Sequence, residues 1–141
     1  MAMSSFVCAR LGRRGALSLE FGLVALPFLM LLLGGIELAR YVYTTEAVDS
    51  HANATLRAAL VYVGGDSASR CLSDLSTAIT RPALPPGLAA DRMMRNEVSC
   101  LNGSSSGQIK VSVAVVYRFS FIAGLFGASE QEISRTAQQS L

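Results

Sequence analysis

The chain is short of the residues that most chemistry needs. Among its 141 residues there is one histidine, His51, there are three cysteines, and 16% of the residues are charged. One histidine and two or three scattered cysteines do not make a metal centre at this spacing, so no metal ligand is expected. The sequence has no G-x-S-x-G elbow, no phosphate-cradling glycine loop and no spaced carboxylate motif. Gly64-Gly65 and the Gly-Ser run at 103–107 read as structural punctuation. His51 follows Asp49 and Ser50, but neighbours one and two apart on a helix point in different directions. His51 is therefore expected to be an exposed polar helix residue. These absences argue against an enzyme, and nothing calls for a cofactor.

Charge is also missing from one particular place. Residues 21–36 carry none, and the run is bounded by Glu20 and Glu37. Extended by Ala16, Leu17 and Leu19 to about 20 residues, it is long enough for a helix to cross most of a bilayer's ~30 Å hydrocarbon core. Glu20 is the anomaly. A carboxylate inside a membrane segment costs roughly 2.5–3.5 kcal/mol on insertion scales, so it is expected to have a partner or a function.

The residues around Glu20 form a pattern. Arg13-Arg14-Gly15-Ala16-Leu17-Ser18-Leu19-Glu20-Phe21 places a basic leader ending in glycine before a glutamate five residues further on and an apolar helix. This resembles a type IV prepilin processing site. The run Leu19-Glu20-Phe21-Gly22-Leu23-Val24-Ala25-Leu26-Pro27, continued by Leu31-Leu32-Leu33-Gly34-Gly35-Ile36-Glu37, resembles the TadE/TadG family of tight-adherence pseudopilins. The resemblance covers residues 15–58, with Gly22 standing where the family usually has a small residue such as alanine.

The resemblance implies an α+β, pilin-like protein in which a long N-terminal helix with a transmembrane part packs on a small three-stranded antiparallel sheet. It implies a cytoplasmic prepilin leader at 1–15, a transmembrane helix at 16–39 and an extracytoplasmic domain at 40–141. A prepilin peptidase would cut between Gly15 and Ala16, making the chain an enzyme's substrate, with Glu20, Phe21 and Pro27 serving recognition and assembly. The implied partners are that peptidase, other pseudopilins and the pilus assembly machinery. The implied setting is the bacterial inner membrane, in the building of a tight-adherence (Flp-type IVb) pilus for surface attachment, colonisation and biofilm formation.

Charge arithmetic agrees with this picture. Arg10, Arg13 and Arg14 lie in the leader, so its removal takes the basic residues from 12 to 9 against 10 acids. Nucleic-acid binding then loses its electrostatic support. The same three arginines put the N-terminus in the cytoplasm and the remainder in the periplasm by the positive-inside rule. An ordinary secretory signal would need small residues close behind the apolar run, where Glu37-Leu38-Ala39-Arg40-Tyr41 stands instead. Lipoprotein anchoring at Cys8 lacks a preceding hydrophobic region. The alternative from another class is a permanent single-span membrane protein with a periplasmic partner-binding domain, Glu20 being a first-turn carboxylate favoured by the helix dipole.

Beyond the apolar run, Leu38, Tyr41 or Val42, Thr45, Val48, Ala52, Thr55 or Leu56, Ala59 and Val63 recur at helical steps. One helix over 16–63, or two hinged near Gly34-Gly35, satisfies this period, with Pro27 loosening the membrane part. A short helix capped by Asp66 or Ser67, with Leu72, Leu75 and Ile79 on one face, is expected next, stopped by Arg81-Pro82. Residues 82–87 read as a loop and 88–95 are ambiguous. Strands are expected at 97–101, 108–121 and 131–138, closing an antiparallel meander that covers the helix. In the second, Val116 is an apolar residue on the outer face.

Cys8 would leave with the leader, so Cys71 and Cys100 form an even pair on the oxidising side, as a bridge or as two buried thiols. The stretch at 121–127 carries four large apolar side chains where a strand connection is normally polar. It reads either as a loop folded onto the core or as a patch that docks a neighbouring subunit or the membrane.

Overall fold

The structure, a computed structural model, describes residues 13–64, 70–71, 73–102, 108–122 and 130–141, with no side-chain description at 13–17. Two compact units divide the chain, one ending at Ile36 and the other spanning Glu37–Leu141. Helix α1, Arg13–Gly64, is assigned without interruption through Pro27 and Gly34-Gly35. The sequence left one helix or two open, and the structure has one.

In the first unit the helix buries almost nothing. Leu19, Phe21, Leu23 and Leu31 are 66%, 75%, 71% and 77% exposed. Each such side chain forgoes about 1.5–3 kcal/mol of burial in water, a cost that an apolar solvent removes. Among the described residues one helix, Ser18–Gly64, is long and apolar enough to cross a membrane, and its most apolar window has a mean hydropathy of 2.1.

In the second unit α1 acquires a buried stripe. Val48, Ala52, Leu56, Ala59 and Val63 follow one another at steps of three or four and are buried. Two threonines share this side of the helix. Thr44 and Thr55 are buried, and each hydroxyl donates to the carbonyl four residues back, Arg40 O at 2.8 Å and His51 O at 2.8 Å. Threonine is tolerated there because its donor is satisfied within the helix.

The stripe packs on a three-stranded antiparallel sheet of order β1-β2-β3, with β1 at Met93–Asn102, β2 at Ile109–Ser120 and β3 at Glu130–Ser140. Strand β2 is central. Its odd positions from Ile109 to Phe119 are all buried and its even positions are half-buried or exposed, the period-two pattern of a sheet covered on one face. Val116 falls on the outer face, as the alternation predicts. On β1, Val98 and Cys100 continue the core, while on β3 only Ile133 is buried. The expected meander is present, and its strands exceed the expected bounds at β1 and β3.

Two expectations need correction. The short helix carrying Leu75 and Ile79 does not form over residues 73–81, which make a single turn with Ala78 N–H and Ile79 N–H both directed to Leu75 O. The Asp74 carboxylate accepts the Ser76 amide at 2.9 Å and also the Ser76 hydroxyl, a local turn that competes with helix. Leu75 N–H is then taken by Val98 O at 2.8 Å. Leu75 and Ile79 still reach the core, while Leu72 and the proposed caps at 66 and 67 lie outside the described residues. The second correction is His51, which is 3% exposed rather than a surface residue.

Candidate functional site

Three groups of residues concern function: the start of α1, the residues just beyond its apolar run, and a polar pair between α1 and β1. Gly15, Ala16, Glu20, Phe21 and Pro27 all lie in the helix. Ala16 and Glu20 are four residues apart and so share a face about 6 Å apart along the axis, at 1.5 Å per residue. Glu20 and Phe21 are exposed. Any partner for the Glu20 carboxylate is not drawn from the described residues.

Where the apolar run ends, Glu37 is buried. Its Oε1 accepts the Ile122 amide at 2.8 Å, and its carboxylate pairs with Arg40 at 3.4 Å. The Arg40 guanidinium in turn lies 5.6 Å from the Phe119 ring centroid. Tyr41 meets Phe119 edge-on at 5.5 Å and stacks on Phe121 at 6.3 Å. This cluster ties the exit of β2 to α1. Sequence reading treated Glu37 only as the end of the apolar run. The available signal was its four-residue step to Tyr41, which puts it on the sheet-facing side of the helix.

Phe121 is therefore folded onto the core, whereas Ile122 is 79% exposed. Leu125 and Phe126 lie outside the described residues.

The cysteine pair is bridged. Cys71 and Cys100 form a disulfide with a Cα–Cα distance of 5.3 Å, within the range an S–S bond requires. It joins the chain after α1 to the inner face of β1. Of the two alternatives the sequence left, the structure takes the bridge.

The polar pair is His51 with Asn96. His51 Nε2 lies 3.3 Å from Asn96 Nδ2, while His51 Nδ1 and Asn96 Oδ1 are buried without a hydrogen-bond partner among the described residues. Burial, and then the positive charge of Arg81, lower the His51 pKa below its ordinary value. Both residues line a cavity of about 450 Å³ that also involves Met93, Met94, Leu84 and Arg81. Among the described residues no group of three or more His, Cys, Asp and Glu could hold a metal ion.

The architecture defines a class: an α+β protein whose N-terminal helix is able to span a membrane and whose second unit is closed by a disulfide. Within it, residues 15–57 match the family of TadE-like proteins. The family resemblance carried by residues 15–37 is thus borne out, and the match ends inside α1, before the sheet. No curated protein and no solved structure matches the chain.

Proposed function

We propose that the chain is a pseudopilin of a tight-adherence (Flp-type) pilus, made with a cytoplasmic leader and cleaved by a prepilin peptidase between Gly15 and Ala16. The observation that carries this reading is the TadE-like match over residues 15–57, which spans the Gly15-to-Glu20 pattern and the apolar helix together. In this reading residues 16–39 cross the inner membrane and residues 40–141 form a periplasmic domain. A disulfide at Cys71–Cys100 suits that oxidising compartment. The protein acts by assembling with other pseudopilins and the pilus machinery for surface attachment and biofilm formation, and not by catalysis.

Glu20 has a physical role in such assembly. Cleavage creates an α-amino group on Ala16, on the same helix face as the Glu20 carboxylate. In a bundle the amine of one subunit meets the carboxylate of the next, each offsetting the other's loss of hydration. The net gain is small, but removing one partner of such a pair costs about 3–5 kcal/mol. The pair sets axial register between helices whose apolar faces have no preferred alignment in lipid.

Two variants test the reading. Gly15→Leu places a bulky side chain beside the scissile bond and is expected to leave precursor in the membrane. Glu20→Gln is expected to be inserted and cleaved normally but to lose crosslinking to its pseudopilin partners and pilus-dependent adhesion. Wild-type crosslinking and adhesion by Glu20→Gln would sink the assembly role given to this carboxylate.

A further inference from the structure

The apolar run of α1 ends at a point that the exit of β2 also reaches. Residues 21–36 carry no charge, and Glu37, the first charged residue after them, is buried with its Oε1 on the Ile122 amide at 2.8 Å. That bond holds Ile122 at the level of Glu37, and the Ile122 side chain is 79% exposed. One exposed apolar side chain needs no explanation by itself, because folded proteins show many. What needs explaining here is its place.

The surroundings of Ile122 share a character. On α1, Ile36, Leu38 and Val42 are exposed as the helix leaves the apolar run. On the β2 side, the sequence carries no charge from Phe119 to Ser129, and the residues that bound this stretch, Arg118 and Glu130, pair with each other at 3.6 Å. Tyr41 stacks on Phe121, and Arg40 lies over Phe119. Tyrosine and long cationic side chains are the types that gather where a membrane meets water, each presenting an apolar body and a polar tip. Headgroups add roughly 5–7 Å on each side of the hydrocarbon core. At 1.5 Å per residue this is about one helical turn, so Glu37 to Tyr41 fall in that layer when the preceding run fills the core.

We propose that Ile122 is a second membrane contact, inserted at the acyl-chain boundary of the leaflet from which α1 emerges. The proposal rests on the reading that α1 crosses the bilayer. Phospholipid is the occupant because this surface is continuous along the chain with the run that lipid covers. The Glu37 bond removes the main obstacle to insertion. A main-chain amide that enters lipid without an acceptor costs several kcal/mol, and the Ile122 amide brings its acceptor with it. The Glu37 carboxylate is itself paired with Arg40, so no unpaired charge is carried toward the acyl chains at this point. The bilayer surface then holds the second unit at two places, where α1 enters it and where β2 leaves it.

The test is spin labelling of the full-length protein in vesicles of phosphatidylethanolamine and phosphatidylglycerol. A nitroxide is attached to Ile122→Cys in a Cys8→Ser background, where Cys71 and Cys100 are held in their bridge. The substitution changes an exposed side chain and leaves the main-chain bond to Glu37 in place. Leu29→Cys, within the apolar run, and Val61→Cys, which is 80% exposed, are labelled for comparison. Val61 lies about 36 Å beyond Glu37 along α1 at 1.5 Å per residue. The label at position 122 is expected to collide with oxygen and to lose collision with a water-soluble nickel chelate, as at position 29, while position 61 remains open to nickel. Nickel access at 122 equal to that at 61 would overturn the proposal. So would a label at 122 shielded from both reagents and broadened by a second label, because a second copy would then be the occupant. Nickel access at 29 would remove the spanning reading and this contact together, whereas lipid at 29 with water at 122 removes the contact alone.

Discussion

His51 carries the clearest consequence at the scale of single residues. Its pKa is lowered in the folded protein, so below the ordinary histidine value the unfolded chain binds more protons than the native one. Stability is therefore full above about pH 6.5 and falls as the pH drops through that value toward the lowered one. Urea midpoints measured between pH 7 and 5 are expected to decrease, and His51→Gln is expected to flatten the decrease. Asp74 does not interfere in this window, because its pKa is also lowered, chiefly by its hydrogen bonds with Ser76, and it titrates in more acid solution. An unchanged slope in His51→Gln would show that another group carries the pH dependence. Gly87 has a purely steric role. It sits at a φ of +94°, and a Cβ there would lie 3.0 Å from the Tyr43 ring, whose hydroxyl donates to Pro86 O at 2.9 Å. Gly87→Ala is expected to cost about 1–2 kcal/mol in a denaturation midpoint from the left-handed backbone alone. Glu37→Ala leaves the Ile122 amide without its acceptor and is expected to cost about 1–3 kcal/mol.

At the scale of elements, legibility in the sequence tracked regularity. The helix was readable because the run from Val48 through Ala52, Leu56 and Ala59 to Val63 keeps one period, and β2 because Ile109 to Phe119 alternates without a break. The turn at 73–81 was not, because Leu75 and Ile79 have the spacing of a helix face while Asp74 and Ser76 close a local turn and the Leu75 amide donates to the distant Val98 carbonyl. The start of β1 was hidden by its bulge, which destroys alternation between Met93 and Arg95. The burial of His51 is signalled along the helix and not by its sequence neighbours, since Val48 and Thr55 lie three residues before and four after it, both fully buried. Glu37 could not be assigned its role because its partner, the Ile122 amide, is 85 residues away. The disulfide belongs to this scale too. With Cys71 and Cys100 at a sequence separation of 29, removal of the bridge in a Cys71→Ser, Cys100→Ser double variant is expected to cost roughly 3–4 kcal/mol in the chain-entropy model. A loss near zero would mean that the contact of Leu75 and Ile79 with the core already fixes this connection.

For the whole molecule, the two compact units differ in what they expose to solvent. Among the described residues, the unit ending at Ile36 exposes Leu19, Phe21, Leu23, Phe28 and Leu31, and the unit beginning at Glu37 buries Val48, Ala59, Val63, Val98, Val111 and Val113 in a core shared by α1 and the sheet. One chain thus asks for two solvents, and the TadE-like match covers the helix that needs the lipid one. The central claim is that a peptidase frees this helix at Ala16 so that its new amine and Glu20 enter assembly together. Its most direct test is the intact mass of wild-type protein extracted from the membranes of cells that contain a prepilin peptidase. The account predicts the mass of a chain beginning at Ala16 with one internal disulfide. Protein retaining residues 1–15 in those cells would contradict it and leave the chain a permanent single-span anchor.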